Sequence, residues 1–357
     1  MSTDVDMQWL NQPVKAICQQ SAQAAAQHQT QLTKPLGALG ELETVAVRLA
    51  GMQNRVKPEI NRVQLSVFAA DHGIAASDVS AYPQEVTSQM VMNFAFGGAA
   101  VSVLARHLQA AFEVVNLGTL TALPAHEAVV SRVIAAGTRD FSSEAAMSSA
   151  QLCQALAVGC ERVDACAENH PDLFIAGEMG IGNTSAASAI AAALLQLPAV
   201  QLVGPGTGLD TERVVLKAAR IQQALDFHAL CADQPLEILR CVGGFEIAAM
   251  TGAYIRAAQQ GIPVLIDGFI SSAAAMVAVA FKPEVRGWLL YGHCSEEPAH
   301  RLLLDHLGGT PLLSLGMRLG EGSGAALAVD ILRSACRLHA EMATFADAGV
   351  SDKTPEA

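Results

Sequence analysis

The feature that most restricts what this chain can fold into is a recurring alternation. Short apolar-rich runs end in glycine or small polar residues, and a helical stretch follows each one. The runs are VQLSVFAA (63–70), FEVVNLG (112–118), DLFIAGE (172–178), VQLVG (200–204), ILRCVGG (238–244), PVLIDG (263–268) and GWLLYG (287–292). Apolar residues along the whole length of a run suit strands buried on both faces. Helices between such strands suit parallel crossovers. The pattern therefore predicts a three-layer α/β fold around a mainly parallel sheet. Ligands of such sheets sit beyond the carboxyl ends of the strands, where these glycine-rich loops fall.

The two chain ends read differently. Residues from about 12 to 32 are rich in Ala and Gln and predict a weakly amphipathic helix. A last helix is expected over about 324–346, with Leu327, Ile331, Leu332, Cys336 and Met342 near helical spacing. The two ends are expected to pair as a small bundle. The tail 351–357 carries Pro and charge without an apolar anchor, which predicts disorder. No repeat and no long linker interrupts the 357 residues.

Composition narrows the partners. A formal net charge of -12, with no cluster of Lys and Arg, repels phosphate backbones and anionic membrane surfaces, so neither nucleic acid nor membrane is expected as a partner. The eight cysteines are scattered and form no CxxC pair, which argues against a zinc site or a redox dithiol. The first ten residues lack a secretory apolar core, and a cytoplasmic location with reduced thiols is expected. The uncharged stretch 179–209 is interrupted by Asn183, Thr184, Gln196, Pro198 and several glycines. It reads as a loop, an Ala-rich helix, a strand and a further loop rather than as a membrane span.

Four segments carry candidate chemistry. GEMGIGNTSAASA (177–189) follows a strand and opens a helix. Gly180 and Gly182 permit close backbone approach, Asn183 and Thr184 add donors, and helix-start amides attract anions. A plain strand-to-helix turn capped by Thr184 fits the same letters, although Glu178 at a strand end is poorly explained by stability. VGPGTGLDTERVVLK (203–217) again ends a run in glycines, here Gly204, Gly206 and Gly208. Lys217, two turns into the next helix, suits a monophosphate; a solvated helix lysine is the alternative. Neither loop has Walker spacing. ADHGIAASDVSAYPQEVTSQM (70–90) offers Ser80, Tyr82, Gln84 and Gln89 as a polar loop able to lie over a flat base, or an ordinary connection. His72 there reads as a structural hydrogen-bonding residue. SLGMRLGEGSGAALA (314–328) sets Glu321 between two glycines just before a helix, either as a site carboxylate or as a partner of the helix dipole. GHCSEEPAHRLLLDHLG (292–308) clusters His293, Glu296, Glu297 and His300 without a zinc spacing, and reads as a polar loop opening a helix.

Together these segments resemble the nicotinate-nucleotide–dimethylbenzimidazole phosphoribosyltransferase family. KPLGALGELE (34–43), GGFEIAAMTGAYI (243–255) and DGFISSAAA (267–275) extend the ordered match from Lys34 to Ala328. Ala38 and Ser185 depart from an expected Ser and Thr. The resemblance implies a Rossmann-like sheet in a large α/β catalytic domain (33–323), a small helical domain built from both ends (1–32 plus 324–350), and a homodimer. It implies transfer of 5-phosphoribose from nicotinate mononucleotide to 5,6-dimethylbenzimidazole without a cofactor or metal. The products are α-ribazole 5′-phosphate and nicotinate, in service of the cobalamin lower ligand. Glu321 matches the general base. Glu178, Gly180, Gly182, Asn183, Thr184, Gly204 and Lys217 match phosphate and ribose contacts. Ser80, Tyr82 and Gln89 match the base-pocket wall, with Met179 and Leu319 as apolar neighbours. An electrostatic role for Glu178 beside the reacting carbon is a hypothesis of chemistry rather than of resemblance. A nucleotide-sensing module with the same loops, or a phosphoribosyltransferase for another azole or purine, is the competing reading.

Overall fold

The computed structural model describes residues 7–77, 79–206 and 208–351. Residues 1–6 and 352–357, the latter most of the tail for which disorder is expected, lie outside the described residues. Among the described residues, seven strands form one parallel sheet: β1 (Val63–Ala70), β2 (Ala111–Gly118), β3 (Val129–Ser131), β4 (Leu173–Met179), β5 (Val264–Ile266), β6 (Leu289–His293) and β7 (Pro311–Leu313). Their order is β3-β2-β1-β4-β5-β6-β7. The chain thus starts in the middle and winds outward both ways, placing a topological switch between β1 and β4.

Burial follows that order. Every residue of β1 is buried, as its unbroken apolar run requires, while the edge strand β7 is only half-buried. The helices Ser149–Ala167 and Phe245–Gln260 pack together through glycine contacts, and the latter lies on β1 and β4. A Cβ on Gly159 would lie 1.8 Å from the Ala249 carbonyl oxygen, so no larger residue fits that crossing.

Two expected strands do not form. The run 200–204 is a 3-10 turn, Ala199–Gln201, followed by irregular chain. Pro198 and Pro205 bracket it, and Leu202 and Val203 reach the core from a turn instead of a ladder. The run 238–244 belongs to the helix Pro235–Val242, where Pro235 occupies the first turn. Ile238, Leu239 and Val242 are the buried face of that short amphipathic helix, which an apolar run alone cannot distinguish from a strand. The short edge strands β3 and β7 escaped the sequence reading because, unlike the equally short but fully buried β5, they are at most half-buried and so carry no distinct apolar run.

The N-terminal helix is shorter than expected, Gln19–Gln29, with Pro13 in the extended segment ahead of it. The C-terminal helix Ser323–Glu341 buries Ala325, Ala328, Val329, Leu332, Ala335, Cys336 and His339, which leaves Leu327 on the outer side. The ends meet directly. Leu32 and Thr344 form an antiparallel bridge. Gln29 Nε2 donates to His339 Nδ1 at 2.8 Å, so His339 Nε2 is the nitrogen that donates to the Val56 carbonyl, also at 2.8 Å. The same C-terminal helix also packs on β6 and on the helix Glu41–Gln53.

The apolar stretch 85–108 is long enough to cross a bilayer by composition. It is two helices, Glu85–Ala95 and Ala100–Leu108, separated by a turn with Gly97 at φ 81°, and each is too short to span.

Candidate active site

A cavity of about 510 Å³ opens at the carboxyl edge of the sheet. Its walls come from the segments after β4 (178–184), β5 (267–271) and β6 (293–297), from 318–321, and from the helix Glu85–Ala95 through Val86 and Met90.

Two of these segments cross at van der Waals limits. A Cβ on Gly177 would sit 2.0 Å from the Glu321 carbonyl oxygen, and one on Gly320 would sit 2.3 Å from Glu178 Oε1. The crossing brings Glu178 and Glu321 together from 143 residues apart, and the Glu321 amide donates to Glu178 Oε1 at 3.4 Å. Gly320, Glu321 and Gly322 all have positive φ (83°, 66°, 87°). For the two glycines this is free. For Glu321 a left-handed backbone costs roughly 1–2 kcal/mol. That strain is held in place by Asp267 at the end of β5. Its carboxylate accepts from the amides of Gly322 (3.2 Å) and Ala325 (2.7 Å), closing the start of the helix Ser323–Glu341 that no side chain of its own caps.

The carboxylates are electrostatically crowded. Burial pushes Glu321 up to about 7; the backbone N–H of Val101 opposes the shift and the charge of Asp267 adds to it. Its Oε2 has no hydrogen-bond partner among the described residues. Burial, then the charges of Glu246 and Asp267, hold Glu178 well above the usual carboxylate range, although Asn183 Nδ2 and the Glu321 amide both donate to it. Burial also raises Asp267, with His293, 3.6 Å away, as its compensating neighbour.

The opposite corner is built from a cation. Lys217 is 1 % exposed, and its Nζ donates to Thr184 Oγ1 at 2.8 Å. Burial brings it down to about 8, with Glu297 pulling the other way. Thr184 therefore does not cap its helix; Gly182, at φ 100°, is the N-cap and offers no side chain. Glu297 fits over the glycine turn because residue 204 lacks a Cβ, which would lie 2.1 Å from Glu297 Oε2. Arg318 donates to the Gly206 carbonyl at 3.3 Å and faces the cavity.

Of the residues singled out from the sequence, Tyr82, Glu178, Met179, Gly180, Asn183, Thr184, Leu319 and Glu321 line this cavity. Lys217 reaches it through Thr184. Gly182 and Gly204 shape the turns behind it. Ser80 accepts the Tyr82 amide at 3.2 Å, and Gln89 lies one residue from Met90 on the exposed side of its helix.

The comparisons with known proteins bear on this geometry. A family model described as phosphoribosyltransferase matches residues 14–350. The nicotinate-nucleotide–dimethylbenzimidazole phosphoribosyltransferase of Pseudomonas putida (strain W619) is 54% identical over 342 residues, 96% of this chain and 97% of the relative. That of Azotobacter vinelandii is 52% identical, over 96% and 98%. The crystal structure of CobT from Thermus thermophilus superposes with a TM-score of 0.90 at 44% identity, over 93% of this chain and 99% of that one.

The chain belongs to the nicotinate-nucleotide–dimethylbenzimidazole phosphoribosyltransferase family. Within this family member the sequence reading passed over Asp267, His293, Glu297 and Arg318 as site residues. Asp267 had a signal, an acid at a strand end before a glycine. His293 and Glu297 stood out as a polar cluster but read as a loop, and Arg318 had no signal, because their meaning lies in what stands across the cavity from them. The fully buried His72–Glu246 pair (2.6 Å) lies behind the Gly180 turn, where a Cβ on residue 180 would come within 3.2 Å of the ring. His72 is thus a hydrogen-bonding residue, and its partner comes from the helix Phe245–Gln260.

Proposed function

We propose that this chain transfers the 5-phosphoribosyl group of nicotinate mononucleotide to 5,6-dimethylbenzimidazole. The products are nicotinate and α-ribazole 5′-phosphate, the precursor of a cobalamin lower ligand. The observation that carries this reading is the division of one cavity into a cationic corner, lined by Arg318 and by Thr184 with Lys217 behind it, and a carboxylate corner at Glu178 and Glu321. A sugar phosphate spans those two corners with its phosphate on one and its anomeric carbon at the other.

The nicotinate of the donor is a pyridinium and leaves as a neutral ring nitrogen, so the departing group needs no protonation and no pyrophosphate must be neutralised. One nitrogen of the benzimidazole attacks the anomeric carbon from the opposite face, which inverts the β-nucleotide to an α-product. The N–H on the other nitrogen grows acidic as charge develops, and Glu321 takes that proton. A carboxylate near pH 7 balances ionisation at working pH against basicity, which is what general-base catalysis requires. The cationic donor ring, once bound, favours the ionised form of Glu178, which then stabilises positive charge on the anomeric carbon. Gly180, Gly182, Asn183, Thr184, Gly204 and Lys217 fix phosphate and ribose. Tyr82, Met179 and Leu319 form the wall for the acceptor ring, Ser80 holds the Tyr82 amide behind it, and Gln89 stands outside that wall on the exposed side of its helix.

We further read 1–32 with 324–350 as a small helical domain, supported by the Leu32–Thr344 bridge, and the active species as a cytoplasmic homodimer. Light scattering is expected to give twice the 37.2 kDa chain mass.

The deciding test is incubation with nicotinate mononucleotide and a panel of benzimidazoles, purines and phenols, with products identified by mass. Formation of α-ribazole 5′-phosphate and equimolar nicotinate is expected. A nucleotide that binds but is returned unchanged with every acceptor would leave a sensing module as the better description.

A further inference from the structure

The carboxylate corner has an acceptor side that stands open when no heterocycle fills it. Tyr82 and Leu319, on its rim, are 55% and 57% exposed. Behind them Glu321 presents a carboxylate whose Oε2 has no hydrogen-bond partner among the described residues and whose burial sets it near pH 7. Buried polar atoms without a protein partner are satisfied by water when the space is polar and wide enough. The Glu178 and Asp267 carboxylates and the Ser271 segment line the same space, so a water there meets several polar groups.

From this arrangement we propose a second activity: hydrolysis of nicotinate mononucleotide, and of pyridinium ribonucleotides as a class, when no heterocyclic acceptor is bound. The inference rests on the donor assignment made above. The water oxygen forms the new bond to the anomeric carbon. The bond from that carbon to the pyridinium nitrogen breaks, and its electron pair stays on the nitrogen of nicotinate. The proton lost by water passes to Glu321 and then to solvent. The products are ribose 5-phosphate and nicotinate, so no oxidant, reductant or further reactant is consumed.

Nothing in the transfer step protects against this. The pyridinium leaves without acid assistance, so its release does not depend on a group that the acceptor ring must first engage. What water lacks is the flat apolar body that seats a benzimidazole between Met179, Val86 and Leu319. Hydrolysis is accordingly expected to be slower than transfer at saturating base by at least about 10²-fold, the effect of losing orientation rather than of losing the base. Bound heterocycle displaces the water and suppresses the reaction, which makes the acceptor its inhibitor.

The test uses the full chain with nicotinate mononucleotide alone and with added 5,6-dimethylbenzimidazole, following nicotinate, ribose 5-phosphate and α-ribazole 5′-phosphate by mass. Without base, nicotinate and ribose 5-phosphate should appear in equal amounts. Base should abolish the ribose 5-phosphate while α-ribazole 5′-phosphate forms. E321Q, purified in the same way, should lose both products. The proposal fails if base-free release does not exceed the enzyme-free rate, or if E321Q releases nicotinate as fast as the parent chain. Transfer with base but no release without it overturns hydrolysis alone; no product under either condition overturns the donor assignment as well.

Discussion

The two corners of the cavity are built on opposite principles. At the Lys217 corner each cation has a polar partner: Lys217 donates to Thr184 and feels the charge of Glu297, and Arg318 donates to the Gly206 carbonyl. At the Glu178 corner three buried carboxylates share one nearby imidazole, His293, and one carboxylate oxygen of Glu321 is unpartnered among the described residues. Burying charges without partners is costly, and selection for stability alone would replace them with apolar residues. The paired corner therefore suits binding. The crowded corner suits chemistry, because there raised carboxylate pKa values coincide with a strained backbone at Glu321.

The largest test of this contrast is Glu321→Gln. Turnover should fall by ~10²–10⁴-fold with acceptor binding retained. Near-parental kcat in that variant would move the proton acceptor elsewhere. Gly177→Ala comes next, since its methyl must displace the Glu321 backbone. A shift of that size at a catalytic group lowers kcat by about 100-fold, and overpacking costs about 1–3 kcal/mol in a urea melt. A variant that folds and turns over normally would show that the two carboxylate segments can slide apart without consequence.

At the paired corner Lys217→Ala should weaken nucleotide binding by about 10–100-fold, read as Kd by calorimetry, with a smaller effect on kcat for saturating substrate. An unchanged Kd would remove the phosphate assignment. Of comparable size is the effect of pH on stability. Glu321 has a folded pKa of about 7 against 4.5 unfolded. Between those values the folded state binds the extra proton, so its contribution is present at acid pH and is lost as pH rises through 7. E321Q should therefore be more stable than the parent at pH 8, by up to about 3 kcal/mol, and the gap should close at pH 4. A stability difference independent of pH in urea melts would mean that burial does not shift this group. The smallest expected change is none: treatment with EDTA should leave turnover intact, because no step of the proposed transfer neutralises a pyrophosphate. Abolished activity would require a cation in the mechanism.

What could be read in advance divides along physical lines. The long buried strands β1, β2 and β4 were legible because both faces are covered, which writes continuous apolar runs into the sequence. The loops carrying Glu178 and Glu321 were legible because glycines must flank a close backbone approach. The runs at 200–204 and 238–244 misled because a buried turn and a short buried helix face show the same local hydrophobicity as a strand.

By itself, then, the sequence determined a parallel α/β sheet, the loops at its carboxyl edge, and which acids stand among glycines there. Only the tertiary structure decided that segments 143 residues apart cross at Gly177, that Asp267 anchors the strained turn at Glu321, and that the charge of Glu297 acts on Lys217. Local composition records how a residue meets its own neighbours. It carries no record of the charge that faces it across a cavity, and that charge helps to set its pKa.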